Sequence, residues 1–295
     1  MLKHLIVSEE KRLDKLLTEA FTDYSRTYFQ HLIDKGHVTC QGKILKKREV
    51  PPLGSEIQIF FASQPIPSLE PEAIPLDILY EDADIICINK PAGMVVHPAP
   101  GNPTGTFVNA LLHHCGPLPG EDLRPGIVHR LDKETSGVLI AAKNLKAHKA
   151  LIKAFSTRTV QKDYLAIVTG NPGNQTVDRP IGRHPVRRKE MTIHENGRSA
   201  ITHLETLESS KGLSLVRARP VTGRTHQIRV HLKSLNTPVL GDKLYGPTQL
   251  SQKLGASRHL LHAHRLTFPH PITSIPHTIT APIPPDFAKF TTTTH

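Results

Sequence analysis

The chain has 295 residues, a net charge of +11 at pH 7 with histidine neutral, and a pI near 9.6. This length allows one large domain or a small and a large one, and the basic balance favours a polyanionic partner such as nucleic acid or an acidic membrane surface. Three widely spaced cysteines exclude a disulfide framework or a zinc-finger pattern and favour a reducing cytoplasm, and no apolar run is long enough to span a bilayer.

The positive charge is concentrated in one segment. Residues 179–233 hold twelve Lys and Arg against four Asp and Glu, whereas residues 66–178 hold ten against twelve. A basic segment inside the chain indicates a charged face and not a disordered tail. The first fifteen residues are amphipathic and charged, which excludes a signal peptide there.

The first 65 residues predict a compact αβ module. Apolar side chains recur at helical spacing from Leu13 to Phe21, and Ser25 is suited to cap a second helix that ends at Gly36. Short strands are predicted at 37–40 and 57–61. Residues 62–75 then contain four prolines, a composition typical of an extended spacer. We therefore predict a domain over 1–65, a linker over 66–75 and a second domain over 76–295.

This module resembles the RNA-binding domain shared with small-subunit ribosomal protein S-four. The resemblance is carried by Arg12-Leu13-Asp14, by Ser25-Arg26, and by the spacing of Ile33, Gly36, Val38 and Gly42. It implies that the second helix and the following turn present cations to RNA phosphates. The candidates are Arg26, Lys35 and Lys43, with Lys46, Lys47 and Arg48 nearby; for any single lysine, simple solvation is the alternative.

The second domain alternates strands and helices. The sequence predicts a doubly buried strand at 84–89, a helix at 106–114, a strand at 138–143, a helix at 145–158 and a strand at 161–168. The predicted strand at 138–143 is preceded by the loop His129-Arg130-Leu131-Asp132-Lys133-Glu134-Thr135-Ser136-Gly137. Asp132 lies between two basic residues, so it should stay ionised and suit a nucleophile or a base; a turn-capping role is the alternative.

This loop resembles the signature of the RluA/RluD-type pseudouridine synthases, RNA-modifying enzymes that isomerise uridine. The resemblance implies that Asp132 is the catalytic residue and that Tyr164, at the matching distance downstream, stacks on the target base and takes part in proton transfer. A further signature, Gly223-Arg224-Thr225-His226-Gln227-Ile228-Arg229, implies that Arg224 pairs with Asp132. For His226 and Arg229, contact with the RNA backbone and packing inside the protein are equally expected roles.

What the family implies for the fold is an α+β protein, whose catalytic domain has a mixed, mainly antiparallel sheet and a central cleft. The dense cations near 179–199 predict a loop or hairpin on RNA phosphates. The full set of candidate RNA contacts in this domain is Arg130, Arg183, Arg187, Arg188, Lys189 and Arg229. The C-terminal histidines 259, 262, 264 and 270 lack carboxylate or cysteine partners at ligand spacing, so we expect no metal, and the reaction requires no cofactor.

The function expected from this resemblance is isomerisation of specific uridines in large-subunit ribosomal RNA by a cytoplasmic monomer without a membrane partner. Assembly intermediates of the 50S subunit are candidate substrates. Transfer RNA is the alternative substrate, and a catalytically silent RNA-binding or ribosome-assembly protein is the alternative function. A glycoside hydrolase is disfavoured, because that chemistry usually needs two carboxylates and Glu134 lies only two positions from Asp132. The step that Asp132 performs stays open.

Overall fold

The computed structural model describes residues 2–22, 24, 26–61, 69–99, 101–120 and 123–290, with Thr27 described by its backbone alone. The chain divides into two compact units, Met1–Ser68 and Leu69–His295. Within the described ranges no helix is both long and apolar enough to cross a membrane. The predicted cap Ser25 and the Thr-rich tail after Phe290 lie outside these ranges.

The later part of the predicted linker is bonded to the second unit. The side-chain amide of Asn109 donates to the Glu70 carbonyl at 2.8 Å, and the Glu72 amide donates to the Asn109 carbonyl at 3.0 Å. The Gly105 amide donates to the Glu72 carboxylate at 2.9 Å. The proline content predicted a spacer over 66–75, but residues 70–72 are held by these bonds. Residues 62–68 lie outside the described part of the chain.

The first unit packs two helices on a four-stranded antiparallel sheet. The helices are α1 (Leu13–Ala20) and α2 (Arg26–Asp34); the strands, in the sheet order β1-β4-β2-β3, are β1 (Leu2–Ile6), β4 (Glu56–Phe60), β2 (Val38–Cys40) and β3 (Lys43–Ile44). Alternation along β2 and β4 points Val38, Ile57 and Ile59 into the core, where they are fully buried. The predicted αβ module is confirmed.

The second unit is built on a nine-stranded sheet with a separate two-stranded hairpin. Eight strands follow the order β5-β6-β7-β14-β8-β13-β12-β9, and β15 pairs with β14. The strands are β5 (Ile78–Glu81), β6 (Ile85–Lys90), β7 (Ser136–Ala142), β8 (Gln161–Thr169), β9 (Gln175–Asp178), β12 (Ile201–Ser210), β13 (Leu213–Pro220), β14 (Leu261–Pro269) and β15 (Pro276–Thr280), with β10 (Ile181–Arg183) and β11 (Met191–Ile193) in the hairpin.

Four helices complete this unit: α3 (Phe107–Cys115), α4 (Leu145–Ser156), α5 (Gln227–Ser234) and α6 (Thr248–Lys253). The pairing of β7 with β14 is parallel, whereas the other named strand pairs are antiparallel. The α+β class with a mixed, mainly antiparallel sheet is therefore confirmed. The predicted helix at 145–158 ends at Ser156, and Arg158 adopts a left-handed turn with φ 62°.

The parallel pairing of β7 with β14 lies where the loop of residues 129–137, called the signature loop below, enters the sheet. Every residue of β7 is buried, which confirms the strand predicted after the loop and shows that both of its faces are covered. Gly137 has φ +109°, and a β-carbon there would collide with the Ala263 carbonyl on β14. Glycine is therefore required for the close approach of the two backbones, and this approach places residues 129–135 at the centre of the sheet.

Candidate active site

Buried polar groups hold the signature loop in place. His129 accepts a hydrogen bond from the Ile140 amide at 3.1 Å, and its ring stacks on Phe155 with centroids 4.7 Å apart. Burial lowers the pKa of His129 to about 3, so the ring is neutral and its nitrogen can accept. Lys90, fully buried, donates to the Lys133 carbonyl at 3.1 Å and to two further carbonyls of its own loop.

A second anchor comes from the C-terminal part of the chain. The guanidinium of Arg258 donates to the Glu134 carbonyl at 2.9 Å and to the Ser136 hydroxyl at 3.3 Å. The same guanidinium binds the Asp286 carboxylate through two bonds of 2.6 and 2.9 Å. These contacts span more than a hundred residues of sequence, so the loop that carries Asp132 is positioned by the assembled sheet and not by its own turn alone.

Asp132 is an ionised carboxylate that remains partly open to solvent. Its Oδ2 accepts a bond of 2.8 Å from Arg229 Nη1 and lies 3.9 Å from His226 Nε2, and its side chain is 22% exposed. Burial by itself would raise the pKa of Asp132, but electrostatic interactions with His226 and Arg229 and the Arg229 hydrogen bond outweigh burial and lower it. The sequence-based expectation of a charged Asp132 agrees with this geometry.

The arginine that pairs with Asp132 is Arg229, and the prediction of Arg224 was wrong on this point. Arg229 is 4% exposed and also binds Asp242 through two bonds of 2.6 and 2.8 Å, with the Tyr245 ring 5.0 Å from its guanidinium carbon. These contacts favour packing for Arg229, and its predicted contact with RNA stays a prediction. The bidentate bond to Asp242 fixes the orientation in which its remaining Nη1 meets Asp132.

Arg224 lies on the wall of the same cleft, before α5 begins. Its Nε donates to the Ser199 carbonyl at 3.0 Å, and its backbone amide donates to the Gln227 side chain at 3.0 Å. The sequence placed two arginines five positions apart in one segment. Which of them faces inward depends on where the helix starts, and a helix beginning at Gln227 turns Arg229 toward Asp132.

Tyr164 lies on β8 beside β14 and lines the cleft together with Asp132. Burial and the charge of Asp132 raise the pKa of Tyr164 above its usual value. The hydroxyl therefore keeps its proton at neutral pH and can act as a hydrogen-bond donor. The predicted proximity of Tyr164 to Asp132 is thus present in the structure.

The cleft has a volume of about 530 Å³, which is in the range of small-molecule sites. Among the described residues that line it, Asp132 is the one carboxylate, and three cations besides Arg224 and Arg229 face it: Arg130, Arg158 and Lys162. Leu131, Phe155 and Leu261 add apolar walls. A planar base with an attached phosphate would match an apolar slot bordered by cations.

The other predicted RNA contacts are found on surfaces, and their contact with RNA stays a prediction. Arg26 donates through two nitrogens to the buried carboxylate of Asp14. Burial by itself would raise the pKa of Asp14, but hydrogen bonds from Arg26, Gln30 and Arg12 lower it to about 2. Lys35 and Arg130 are exposed, and Lys43 lies 3.5 Å from Glu49. Arg183, Arg187, Arg188 and Lys189 are exposed on the β10–β11 hairpin, which is the form predicted for residues 182–196.

No role was assigned to Lys90 and Arg258 from the sequence, and His226 was left open between RNA contact and packing. The family resemblance of residues 238–246 implied a supporting role at the active-site wall, but it did not assign Asp242 or Tyr245 individually. A usable signal was Arg229 itself, because an arginine inside the apolar run 228–232 needs a buried carboxylate partner. Among the residues that the structure describes, two groups have potential metal ligands within 4.8 Å of one another, Glu81-His114-Cys115 and Asp82-Asp84-His270. Neither lines the cleft, and Glu81 and Asp82 are already bonded to Lys143 and His270.

Comparison with known proteins identifies the family. Residues 84–234 match the model of the RNA pseudouridylate synthases, and residues 11–53 match the S4 domain. The chain is 41% identical over 292 residues to ribosomal large subunit pseudouridine synthase D of Escherichia coli K12, covering 95% of this chain and 89% of that one. It is also 41% identical to an uncharacterized RNA pseudouridine synthase, YlyB, of Bacillus subtilis 168, over 97% and 95% of the two chains.

Solved structures agree with this assignment. Human RNA pseudouridylate synthase domain containing 4 superposes with a TM-score of 0.58 at 29% identity, covering 72% of this chain and 90% of that one. The matched family segment contains Asp132, Tyr164 and Arg229. The chain therefore belongs to the RNA pseudouridylate synthase family, as an isomerase that converts uridine in RNA to pseudouridine and carries an S4 domain ahead of its catalytic unit.

Proposed function

We propose that Asp132 is the catalytic carboxylate of this isomerase and that Arg229 keeps it charged and aimed into the cleft. The single observation that carries the proposal is the Arg229–Asp132 ion pair of 2.8 Å at a partly open carboxylate. The reaction breaks the N1–C1′ bond of uridine and forms a C5–C1′ bond, and one proton leaves C5 while N1 gains one. Asp132 can start this sequence by attacking the sugar, attacking the ring or removing a ribose proton.

The target uridine has to leave the RNA stack to reach this carboxylate, so we propose that it flips into the cleft. Tyr164 faces the same space and, being protonated, offers a ring for stacking and a hydroxyl that can relay a proton, releasing its own proton toward N1 as it takes the one from C5. Once the glycosidic bond is broken, the apolar wall has to retain the uracil while it rotates. Leu131 and Leu261 line this part of the site.

The cations of the cleft support a phosphate position next to the flipped nucleotide. Burial and the neighbouring charge of Arg158 lower the pKa of Lys162 to about 8, which is the behaviour of a cation that lacks an anionic partner. Repulsion from Arg158 and Arg198, together with burial, likewise lowers the pKa of Arg224. A bound phosphate would relieve this repulsion.

Removal of the charge of Arg158 or of Lys162 should reduce the salt dependence of RNA binding. Arg158→Asn, which suits the left-handed turn, and Lys162→Met are each expected to lower the slope of log affinity against log salt by about 0.7 for a single-stranded contact. The check is a binding titration from low to high salt with the full protein. Lys146→Met, on the exposed side of α4 outside the cleft lining, is the matched control. A slope unchanged in both cleft variants would contradict a phosphate at this position.

We propose large-subunit ribosomal RNA as the substrate, with assembly intermediates of the 50S subunit as the form encountered by a monomeric enzyme in the cytoplasm. Support comes from the name of the Escherichia coli relative, a ribosomal large subunit enzyme that matches nearly the whole chain, and from the S4 domain at residues 11–53. The basic hairpin adds a surface suited to phosphates of a folded RNA.

Chemical mapping of pseudouridine tests the substrate. Cells that lack this protein are expected to lose pseudouridine at one or a few positions of large-subunit ribosomal RNA, and wild-type protein should restore them while Asp132→Asn does not. Purified protein should also modify a ribosomal RNA transcript. Modification of a transfer RNA transcript, with none of ribosomal RNA in cells or in vitro, would overturn the substrate and leave the reaction in place.

A further inference from the structure

The hydroxyl of Tyr245 connects the basic hairpin to the residue beside the catalytic carboxylate. It lies 2.8 Å from the Met191 amide nitrogen on β11 and 2.8 Å from His226 Nδ1. The ring itself is buried among Ile181, Met191 and Val230, which join the hairpin to α5. The hairpin that carries Arg183, Arg187, Arg188 and Lys189 is thus bonded, through one phenol, to the first residue before α5.

One arrangement of protons satisfies every donor and acceptor in this chain of bonds. A backbone amide can only donate, so the Tyr245 oxygen accepts from Met191. In the arrangement that also uses the one hydrogen of the phenol, Tyr245 donates it to His226 Nδ1. A neutral imidazole carries a single proton, so that proton has to be on Nε2. Nε2 is the nitrogen that faces Asp132 Oδ2 at 3.9 Å.

His226 is held in the neutral form by its surroundings. Burial lowers the pKa of His226, Asp132 and Asp242 act in the opposite direction, and Arg229 and Arg130 add to the lowering; the net shift is downward. His226 also adopts a left-handed backbone, φ 57° and ψ 19°, at the start of α5, and its ring meets the Tyr245 ring edge to face. Both the backbone and the ring are therefore constrained.

We infer that His226 is a positioning residue, that Tyr245 fixes it as the Nε2–H tautomer, and that RNA bound on the hairpin brings this N–H to Asp132. The inference rests on the proposed role of Asp132. At 3.9 Å the contact is about 1 Å longer than a hydrogen bond, and catalytic hydrogen bonds often shorten only in the complex. A small shift of the hairpin acts on His226 directly through the Met191–Tyr245 bonds. Nε2–H would then orient Oδ2 from the side that Arg229 leaves open.

Tyr245→Phe tests the tautomer with little other change, because the ring that lies against Arg229 and Lys233 is kept. The expected result is a single-turnover rate 10- to 100-fold lower, in line with the loss of other supporting hydrogen bonds around reactive groups, with RNA affinity within about twofold. Nitrogen chemical shifts of His226 should move from pure Nε2–H toward a tautomer mixture. The matched control is Tyr80→Phe on β5, which loses a hydrogen bond from the Tyr80 hydroxyl to Asp82. A wild-type rate in Tyr245→Phe would overturn the inference.

Two amide replacements of His226 separate positioning from a purely structural turn. Gln can place its amide nitrogen near the position of Nε2, whereas Asn reaches only the position of Nδ1. Asn is the better tolerated residue in a left-handed turn, so a structural role predicts that His226→Asn is at least as active as His226→Gln. A positioning role predicts the reverse order. Asn variants as active as Gln variants would count against the inference.

The connection to the hairpin is tested by combining variants. Arg188→Ala is expected to lower both RNA affinity and the single-turnover rate at saturating RNA in the wild-type background. In the Tyr245→Phe background it should lower affinity alone, because the bond that transmits the contact is already absent. Equal effects of Arg188→Ala on the rate in both backgrounds would overturn the transmission. Failure of Asp132→Asn to abolish activity would instead remove the proposed function, so the two failures are distinguishable.

Discussion

Asp132→Asn is expected to lower pseudouridine formation by on the order of 10⁴-fold or more, the scale seen when a reacting group is deleted, while RNA binding is retained. An amide has nearly the shape of the carboxylate and can still accept a bond from Arg229. It is neutral, however, so it can neither attack the nucleotide nor take its proton. Single-turnover conversion of a ribosomal RNA transcript, with a parallel binding titration, measures both quantities.

Glu134→Gln is the matched control, since it removes the same charge two residues away in the same loop. It should retain conversion within a few-fold, because the loop contact of Glu134 is made by its backbone carbonyl. Conversion by Asp132→Asn close to wild type would refute the assignment of Asp132. If wild type itself bound RNA without converting uridine, the silent RNA-binding alternative would stand instead. Release of free uracil by wild type would indicate hydrolysis.

Arg229→Met is expected to reduce both activity and stability, and it has the second largest effect. It leaves the carboxylates of Asp132 and Asp242 without their shared cation, and Asp242 is 1% exposed. Loss of one partner of a buried ion pair typically costs about 3–5 kcal/mol. Because the remaining carboxylate is less well positioned, we expect the single-turnover rate to fall about 10²- to 10³-fold.

The loss of Arg229 should shift the acid limb of the pH–rate profile to higher pH. In the wild type the folded pKa of Asp132 is depressed, so its stabilising contribution is present above the unfolded pKa and is lost only as pH falls through the lower folded value. Without Arg229 the pKa of Asp132 rises. The rate of Arg229→Met should therefore decline at a higher pH than the wild-type rate as the solution is acidified.

Arg224→Met is the control for Arg229→Met, because it removes a cation from the cleft wall without touching Asp132. It should weaken RNA binding and leave the rate at saturating RNA and the free energy of unfolding nearly unchanged. The reverse result, with Arg224→Met the more damaging to the rate and to stability, would support the pairing predicted from the sequence. Denaturant unfolding and pH-rate profiles of both variants distinguish the two outcomes.

Several features of the site could be predicted from local sequence alone. The loop ending at Gly137 predicted a turn that feeds a doubly buried strand, and β7 is such a strand. The two cations flanking Asp132 predicted an ionised carboxylate, which agrees with its lowered pKa, although the residues that lower this pKa are His226 and Arg229 and not the neighbours of Asp132 in the chain. Tyr164 was placed near Asp132 by its matching distance along the chain.

The two arginines of the signature at residues 223–229 could not be distinguished by local sequence alone. The family resemblance implied Arg224, yet the inward direction was decided by the residue at which α5 starts and by the buried Asp242 that binds Arg229. In the same way, the proline content of 66–75 predicted a spacer, but the carboxamide of Asn109 binds part of it. In both cases a partner distant in sequence overrode a local tendency.

The net charge read from the sequence indicated a polyanionic partner, and the family resemblance carried by its motifs implied the fold class and the candidate carboxylate at position 132, because charge and motifs can be read along the chain without its contacts. Only the tertiary structure decided which arginine binds that carboxylate, that the Tyr245 hydroxyl lies 2.8 Å from His226 Nδ1, and why Gly137 must lack a side chain. These depend on β7 lying against β14 and on α5 meeting a loop 97 residues away. Contacts over such distances result from packing of the whole sheet, and the spacing of residues along a chain does not encode them.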